Sequence, residues 1–258
     1  MTDQVPILRL RDGRREETRD TVVREATVSL VVGGRPLLRL QCLPQGLDDL
    51  AVGLLATSGL LGPGEPVPDV EHEPASGEVR VDFSPPEKRI EGLRRSLTLG
   101  SGCGAALSPA GEFDPLGCTR RVDTAFAAGP ETIAAAVRAF VQRSELFRAT
   151  GGVHGAAIAA GDRLVAFAED IGRHNAFDKA VGACRRRGIE LIDKLALVTG
   201  RLSLELVAKA LPVSLPVLVS RGAPTSAGVR LAEDANLTLV GFARAGRMNV
   251  YTAPWRIP

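Results

Sequence analysis

The stretch Leu195–Phe242 reads LALVTGRLSLELVAKALPVSLPVLVSRGAPTSAGVRLAEDANLTLVGF, and its punctuation decides the fold. Leu195–Thr199, Val217–Ser220 and Leu237–Phe242 are short apolar runs bounded by Gly, Ser, Arg or Asn, which predicts strands. Leu202–Ala210 and Pro224–Asp234 between them carry helical spacing. Strand and helix alternating over short connections build a mainly parallel sheet covered by helices. Upstream, Arg173–Ala183 reads as a further helix. Before it, Val153–Ala160 and Arg163–Ala168 read as two strands around the hairpin-type turn Gly161-Asp162. Downstream, Met248–Thr252 adds an edge strand.

Toward the N-terminus the texture changes. Glu25–Val32 is a β-branched run ended by Gly33-Gly34, and Leu37–Leu43 follows, which predicts a β-hairpin. Gly46–Leu55 has helical spacing, with Gly62–Pro66 as its stop, and Val79–Phe83 alternates like a half-buried strand. Leu99–Arg121 is glycine-rich and weakly periodic, so it reads as a mobile loop. Pro130–Phe147 reads as one helix joining two lobes, with Ile133, Val137, Phe140 and Val141 on its buried face. The expected division is residues 1–125, a smaller β-rich lobe whose cysteine loop spans about 99–121, and residues 126–258, an α/β lobe.

Composition narrows the class. Of 258 residues, 45% are hydrophobic and 24% charged, so the chain is globular rather than disordered along most of its length. Only 4% are aromatic, which argues against an extended base-stacking platform. The formal charge of +2, from 32 basic and 30 acidic residues, gives no broad footprint for nucleic acid. The first twenty residues carry too many charges for a secretory signal, and no run reaches the roughly eighteen apolar residues of a membrane helix. A cytoplasmic protein without a membrane partner is expected.

Cys42, Cys103, Cys118 and Cys184 show no C-x-x-C pair and no histidine at ligand spacing, which argues against zinc. Disulfides are rare in a reducing cytoplasm, so each cysteine is either buried filler or a reactive thiol. Cys103, within Gly100-Ser101-Gly102-Cys103-Gly104, lies among glycines that leave a thiol unshielded. It reads either as a working thiol or as an exposed bystander.

Ligands of open α/β sheets sit beyond the carboxyl ends of the strands. The junctions there read Glu169-Asp170-Ile171-Gly172-Arg173-His174-Asn175, Thr199-Gly200-Arg201-Leu202-Ser203 and Ser220-Arg221-Gly222-Ala223-Pro224. Each joins a glycine that admits close backbone approach, an arginine that matches phosphate oxygens, and a hydroxyl or amide. Any one junction is accounted for by helix capping and a solvated turn. Three together suit a phosphorylated ligand, and Phe242-Ala243-Arg244-Ala245-Gly246-Arg247 adds two arginines after the last strand of the alternation. His174 reads either as a proton donor or as a structural residue held beside Asp170, and Asp178 and Lys179 as a helix-surface pair.

Thr150-Gly151-Gly152-Val153-His154-Gly155-Ala156-Ala157, Glu169–Lys179, Ser220–Ser226, and Leu239–Arg244 with Asn249–Thr252 together resemble the formate dehydrogenase accessory sulfurtransferases, the FdhD family of sulfur carriers. The resemblance covers most of the chain. It implies a cytidine-deaminase-like mixed sheet with helices on both faces. It also implies that a cysteine desulfurase passes persulfide sulfur to Cys103, for delivery to the molybdenum or tungsten bis-guanine-dinucleotide cofactor of formate dehydrogenase. That cofactor is cargo, with GDP or GMP as its mimic. Phe242–Arg247 matches the family's cofactor-binding segment, and Gly172–Asn175, Thr199–Arg201 and Ser220–Gly222 become candidate contacts. A homodimer is implied, with formate dehydrogenase apoenzyme as a partner.

One departure stands out. The family's loop reads C-G-x-C-G, whereas here Ala106 replaces the second cysteine, so an intraloop disulfide is excluded and Cys103 must carry sulfur alone or with Cys118. Two other readings compete. A zinc deaminase needs H-x-E and P-C-x-x-C ligands, but His174 is followed by Asn175 and Ala176, and Pro224 by Thr225. A cofactor-binding chaperone that transfers no sulfur would suit the missing second cysteine.

Overall fold

The computed structural model describes residues 1–96, 120–244 and 246–258. The chain opens with a hairpin that the sequence reading did not anticipate: β1 (Thr2–Arg11) pairs antiparallel with β2 (Arg14–Val23) through ten residue pairs. Its two-residue turn, Asp12-Gly13, has φ of 50° and 77°, the left-handed pair that a tight hairpin requires. Charged residues stand on both faces among the apolar ones, so no apolar alternation marks the strands in sequence.

β3 (Ala26–Val32) and β4 (Arg35–Cys42) form the expected hairpin. It joins β5 (Val70–Glu73) and β6 (Glu78–Val81) in a four-stranded sheet ordered β4-β3-β6-β5. Val28, Leu30, Val32, Val79 and Val81 point from one face of this sheet onto Leu50, Leu54 and Leu55 of α1 (Leu47–Thr57). Helix α1 ends at Thr57, before the Gly62–Pro66 stop read from sequence, and Gly59 with φ of 73° turns the chain away. A further helix, α2 (Glu87–Ser96), closes this part of the chain.

The expected single helix from Pro130 to Phe147 breaks in two: α3 (Pro130–Arg143) and α4 (Glu145–Thr150). Side chains hold both sides of the break. Arg148 Nη1 donates to the terminal carbonyls of Val141 and Gln142 at 3.2 and 2.9 Å, and the Glu169 carboxylate accepts from the N–H groups of Leu146 and Phe147 at 3.2 and 3.0 Å. Ile133, Val137 and Phe140 are buried as expected, but Val141, in the last turn of α3, is 39% exposed. Nor does α3 join the lobes; its buried side chains pack in a core with those of the strands that follow.

Those strands are β7 (His154–Ala160) and β8 (Arg163–Asp170), followed by α5 (Arg173–Arg186), β9 (Leu195–Val198), α6 (Leu204–Ala210), β10 (Val217–Ser220), α7 (Ser226–Asp234), β11 (Thr238–Arg244) and β12 (Arg247–Val250). The sheet order is β12-β11-β10-β9-β7-β8. The expectation of a mainly parallel sheet is corrected: only β9-β10-β11 pair in parallel, while β7 runs antiparallel to β8 and β9, and β12 to β11. The short connections from β7 at Ala160 to β8 at Arg163, and from β11 at Arg244 to β12 at Arg247, leave no room for the crossover helix that a parallel neighbour requires. Helix α3 covers one face of this mixed sheet, against Leu195, Leu197, Val217, Val219 and Val240. The other face, with Ala196, Val198 and Leu218, carries α5, α6 and α7.

The two sheets are tied together through α1 and α5, which cross at glycines. A Cβ on Gly53 would sit 1.8 Å from the Asp178 carbonyl oxygen, and one on Gly182 would sit 1.8 Å from that of Asp49. Beside this crossing lie Asp178 and Lys179, which are buried rather than a surface pair. Being adjacent in the helix they diverge, and each finds a distant partner. Asp178 bonds Lys209 Nζ at 2.7 Å and Thr57 Oγ1 at 2.6 Å, while Lys179 bonds Asp170 at 2.6 Å and the Leu43 carbonyl at 2.9 Å.

Candidate functional site

Strands β8, β9, β10 and β11 finish at one edge of the six-stranded sheet, where β7 begins and where α5, α6 and α7 start from Gly172, Ser203 and Thr225. Contact between the junctions depends on missing side chains. A Cβ on Gly222 would lie 2.9 Å from the Gly200 carbonyl, one on Gly241 3.3 Å from the Gly222 carbonyl, and one on Gly200 2.9 Å from Arg173 Cδ. Four junctions distant in sequence therefore stack into one crevice wall. Phe242 N–H donates to the Gly222 carbonyl at 3.0 Å. Its left-handed φ of 52° stands within a β11–β12 register shift, which turns its ring outward.

Several polar groups in this wall are buried without a partner among the described residues: Arg173 Nε, Arg221 Nε, His174 Nε2 and Ser203 Oγ. His174 Nε2 lies 3.4 Å from Glu205 Oε2 but without hydrogen-bond geometry, and Arg173 Nη2 is 3.6 Å from the same oxygen. Burial, then Lys209 and Arg173, push the His174 pKa down to about 3, so its ring is neutral near pH 7. Burial raises the Glu205 pKa against the pull of Arg173 and Arg201. Orphaned polar atoms beside Arg221 and Arg244, for which no carboxylate partner stands among the described residues, form a cradle for an anion.

The crevice opens into a cavity of about 700 Å³. Thr199, Arg221, Gly222 and Arg244 of the expected residues line it, together with His154, Ile171, Val141, Phe147 and Arg148, which the sequence reading did not assign. Phe147 is 48% exposed, and with Val141 it adds an apolar part to a lining that also carries arginines. An apolar lining that also carries cations suits a flat ring that carries an acidic group. His154 stands in the quoted Thr150–Ala157 motif, the one signal by which sequence marked this side. Phe147 and Val141 were hidden because the unbroken helix assigned Val141 to the core.

The remaining expected residues divide. Ser220 Oγ donates to the Gly200 and Val198 carbonyls and accepts from Gly222 N–H, so it braces the crossing instead of facing a ligand. Asn175 Nδ2 donates to the Gln41 carbonyl and Asp170, which turns it toward the junction between the sheets and corrects its place among the crevice contacts. Gly172, its N–H on Asp170, ends the same turn. Ala243 is fully buried in the core under α3, a correction for that contact as well. Arg201, Gly246 and Arg247 are exposed, as is Arg244, whose Nη1 donates to the Arg221 carbonyl at 2.7 Å. Ala245, Cys103, Ala106, Cys118 and nearly all of the expected cysteine loop lie outside the described residues. Cys42 and Cys184 are buried, and their pKa values are pushed up to about 12 and about 11 by that burial, which makes them packing residues and not nucleophiles at neutral pH. Among the described residues, no helix is long and apolar enough to cross a membrane.

Sheet, junctions and cavity define an α/β protein with an arginine-lined ligand crevice at its strand ends. The chain belongs to the FdhD/NarQ family, whose model matches residues 23–258. It is 32% identical over 251 residues to the sulfur carrier protein FdhD of Bacillus subtilis, covering 97% of this chain and 95% of that one. To the sulfur carrier protein FdhD of Wolinella succinogenes it is 35% identical over 241 residues, covering 93% and 84%. A crystal structure of a candidate formate dehydrogenase accessory protein from Desulfotalea psychrophila shares the fold, with a TM-score of 0.80 over 100% of this chain and 99% of that one, at 24% identity.

Proposed function

We propose that this chain is a sulfur carrier serving formate dehydrogenase. In this reading the Cys103 thiolate attacks the outer sulfur of a cysteine desulfurase persulfide, the desulfurase thiolate leaves, and Cys103 keeps the sulfur as its own persulfide. The recipient is the molybdenum or tungsten bis-guanine-dinucleotide cofactor, held by its nucleotide phosphates in the crevice before it reaches the apoenzyme. The observation that carries the reading is Arg221, which lines the cavity and whose Nε has no partner among the described residues, since a phosphate offers arginine the acceptors it lacks. Membership of a family with named sulfur carriers supplies the chemistry. The division into lobes 1–125 and 126–258, a cytidine-deaminase-like second lobe and a homodimer pairing two crevices with two nucleotide arms belong to the same proposal.

Incubation with a cysteine desulfurase and cysteine, followed by intact mass, tests the transfer. One added sulfur is expected on the wild type and none on Cys103→Ala; a Cys118→Ala variant should still take it up. If neither wild type nor variants gain sulfur while GDP still binds, the chaperone reading replaces the carrier.

A further inference from the structure

His154 lines the cavity from the first position of β7, and its ring is half-buried. Its Nδ1 side faces the Thr199 hydroxyl. Thr199 Oγ1 accepts from Gly155 N–H at 3.1 Å and has one hydrogen of its own to place. The Gly155 carbonyl lies 3.5 Å away, at the limit of a useful bond, whereas His154 Nδ1 lies at 3.1 Å. When the hydroxyl donates along the shorter contact, to Nδ1, the proton sits on Nε2. Burial and the nearby Arg173, opposed by Asp170, hold the His154 pKa below its ordinary value, so the ring stays neutral near pH 7. Nε2 makes no bond among the described residues and is not sealed among the buried orphan atoms. Arg148, Arg221 and Arg244 line the same cavity.

We infer that His154 is a ligand-binding residue that donates Nε2–H to a phosphate oxygen of the nucleotide held beside Arg221. The inference rests on the nucleotide reading above, and adds a donor that the residue pattern at the strand ends did not include. Thr199 acts through it as a positioning residue, locking the tautomer and the ring plane.

Calorimetric titration with GDP and with guanosine separates the outcomes. His154→Asn keeps a group near Nδ1 for Thr199 but removes the cavity-facing donor; His154→Gln keeps a donor near Nε2. His154→Asn should bind GDP about tenfold more weakly, the loss of one hydrogen bond to a charged acceptor. Its affinity for guanosine and its unfolding midpoint should be unchanged, and His154→Gln should recover most of the GDP affinity. Nitrogen NMR of the ligand-free protein should show His154 protonated at Nε2 and not at Nδ1. Equal GDP binding by wild type and His154→Asn, or an equal loss for guanosine, overturns the inference and leaves the crevice reading intact. A wild type that binds no GDP removes the crevice reading and this inference with it.

Discussion

Two regions of this molecule bury charged and hydroxyl side-chain atoms and end in opposite states. Where α1 meets α5, Asp170, Asp178, Lys179 and Lys209 are closed into pairs, each with further hydrogen bonds to Thr57, Leu43 or Asn175. At the strand ends, Arg173, Arg221, His174 and Ser203 keep buried atoms without partners. Satisfied polar groups at the α1–α5 crossing cost nothing further and fix one geometry; unsatisfied ones carry a desolvation cost of ~1–3 kcal/mol each that a ligand can relieve. The first pattern marks structure and the second marks a site.

The sharpest way to break this contrast is at Lys209. Lys209→Met leaves the fully buried Asp178 carboxylate with Thr57 alone, and should cost about 3–5 kcal/mol in urea unfolding. Adding Asp178→Leu should return most of that loss, since a matched apolar pair needs no partner. A Lys209→Met protein as stable as wild type would mean that the junction pairs are as dispensable as crevice arginines, and the distinction would fall.

A smaller effect tests the crevice side. His174 has a folded pKa of about 3 against an ordinary 6.5. A folded pKa this far below the ordinary value means the unfolded chain takes up the proton first. The stability from the neutral ring is present above pH 6.5 and lost as pH falls toward 3. Between pH 7 and pH 5 the loss is about 2 kcal/mol. In His174→Gln the stability difference between those two pH values should shrink by that amount in urea titrations; an unchanged difference would place the proton elsewhere.

The sequence made the strand ends legible for a physical reason. β9 and β10 are buried on both faces, so they read as continuous apolar runs bounded by the glycines that permit close approach. The α1–α5 crossing was not legible: Asp178 pairs with a lysine 31 positions away, and helix-surface logic looks only three or four residues along. The β1–β2 hairpin escaped because charges such as Arg9 and Glu16 face each other where apolar alternation was sought. The Phe147 wall depended on a break at Ser144 held by the nearby Arg148 and by Glu169, the latter a partner 22 positions away that no local pattern announces.

The smallest effects rank the arginines of the crevice, which residue type and position in sequence left equal. Arg221 is half-buried with an orphaned Nε on the cavity, whereas Arg201 and Arg247 are exposed and do not line it. Arg221→Ala should weaken GDP binding about tenfold, as removal of a charge-assisted bond does, while leaving thermal stability nearly unchanged because no partner among the described residues loses a bond to its side chain. Exposed arginines act through water and salt, so Arg201→Ala and Arg247→Ala should each weaken binding by only about threefold. Raising salt should reduce those small losses before it affects the Arg221 term. An Arg247→Ala loss as large as that of Arg221→Ala would move the phosphate from the Gly200–Gly222 crossing out to the β11–β12 turn, and Phe242, turned outward by its left-handed backbone, would then become the ring contact in place of Phe147.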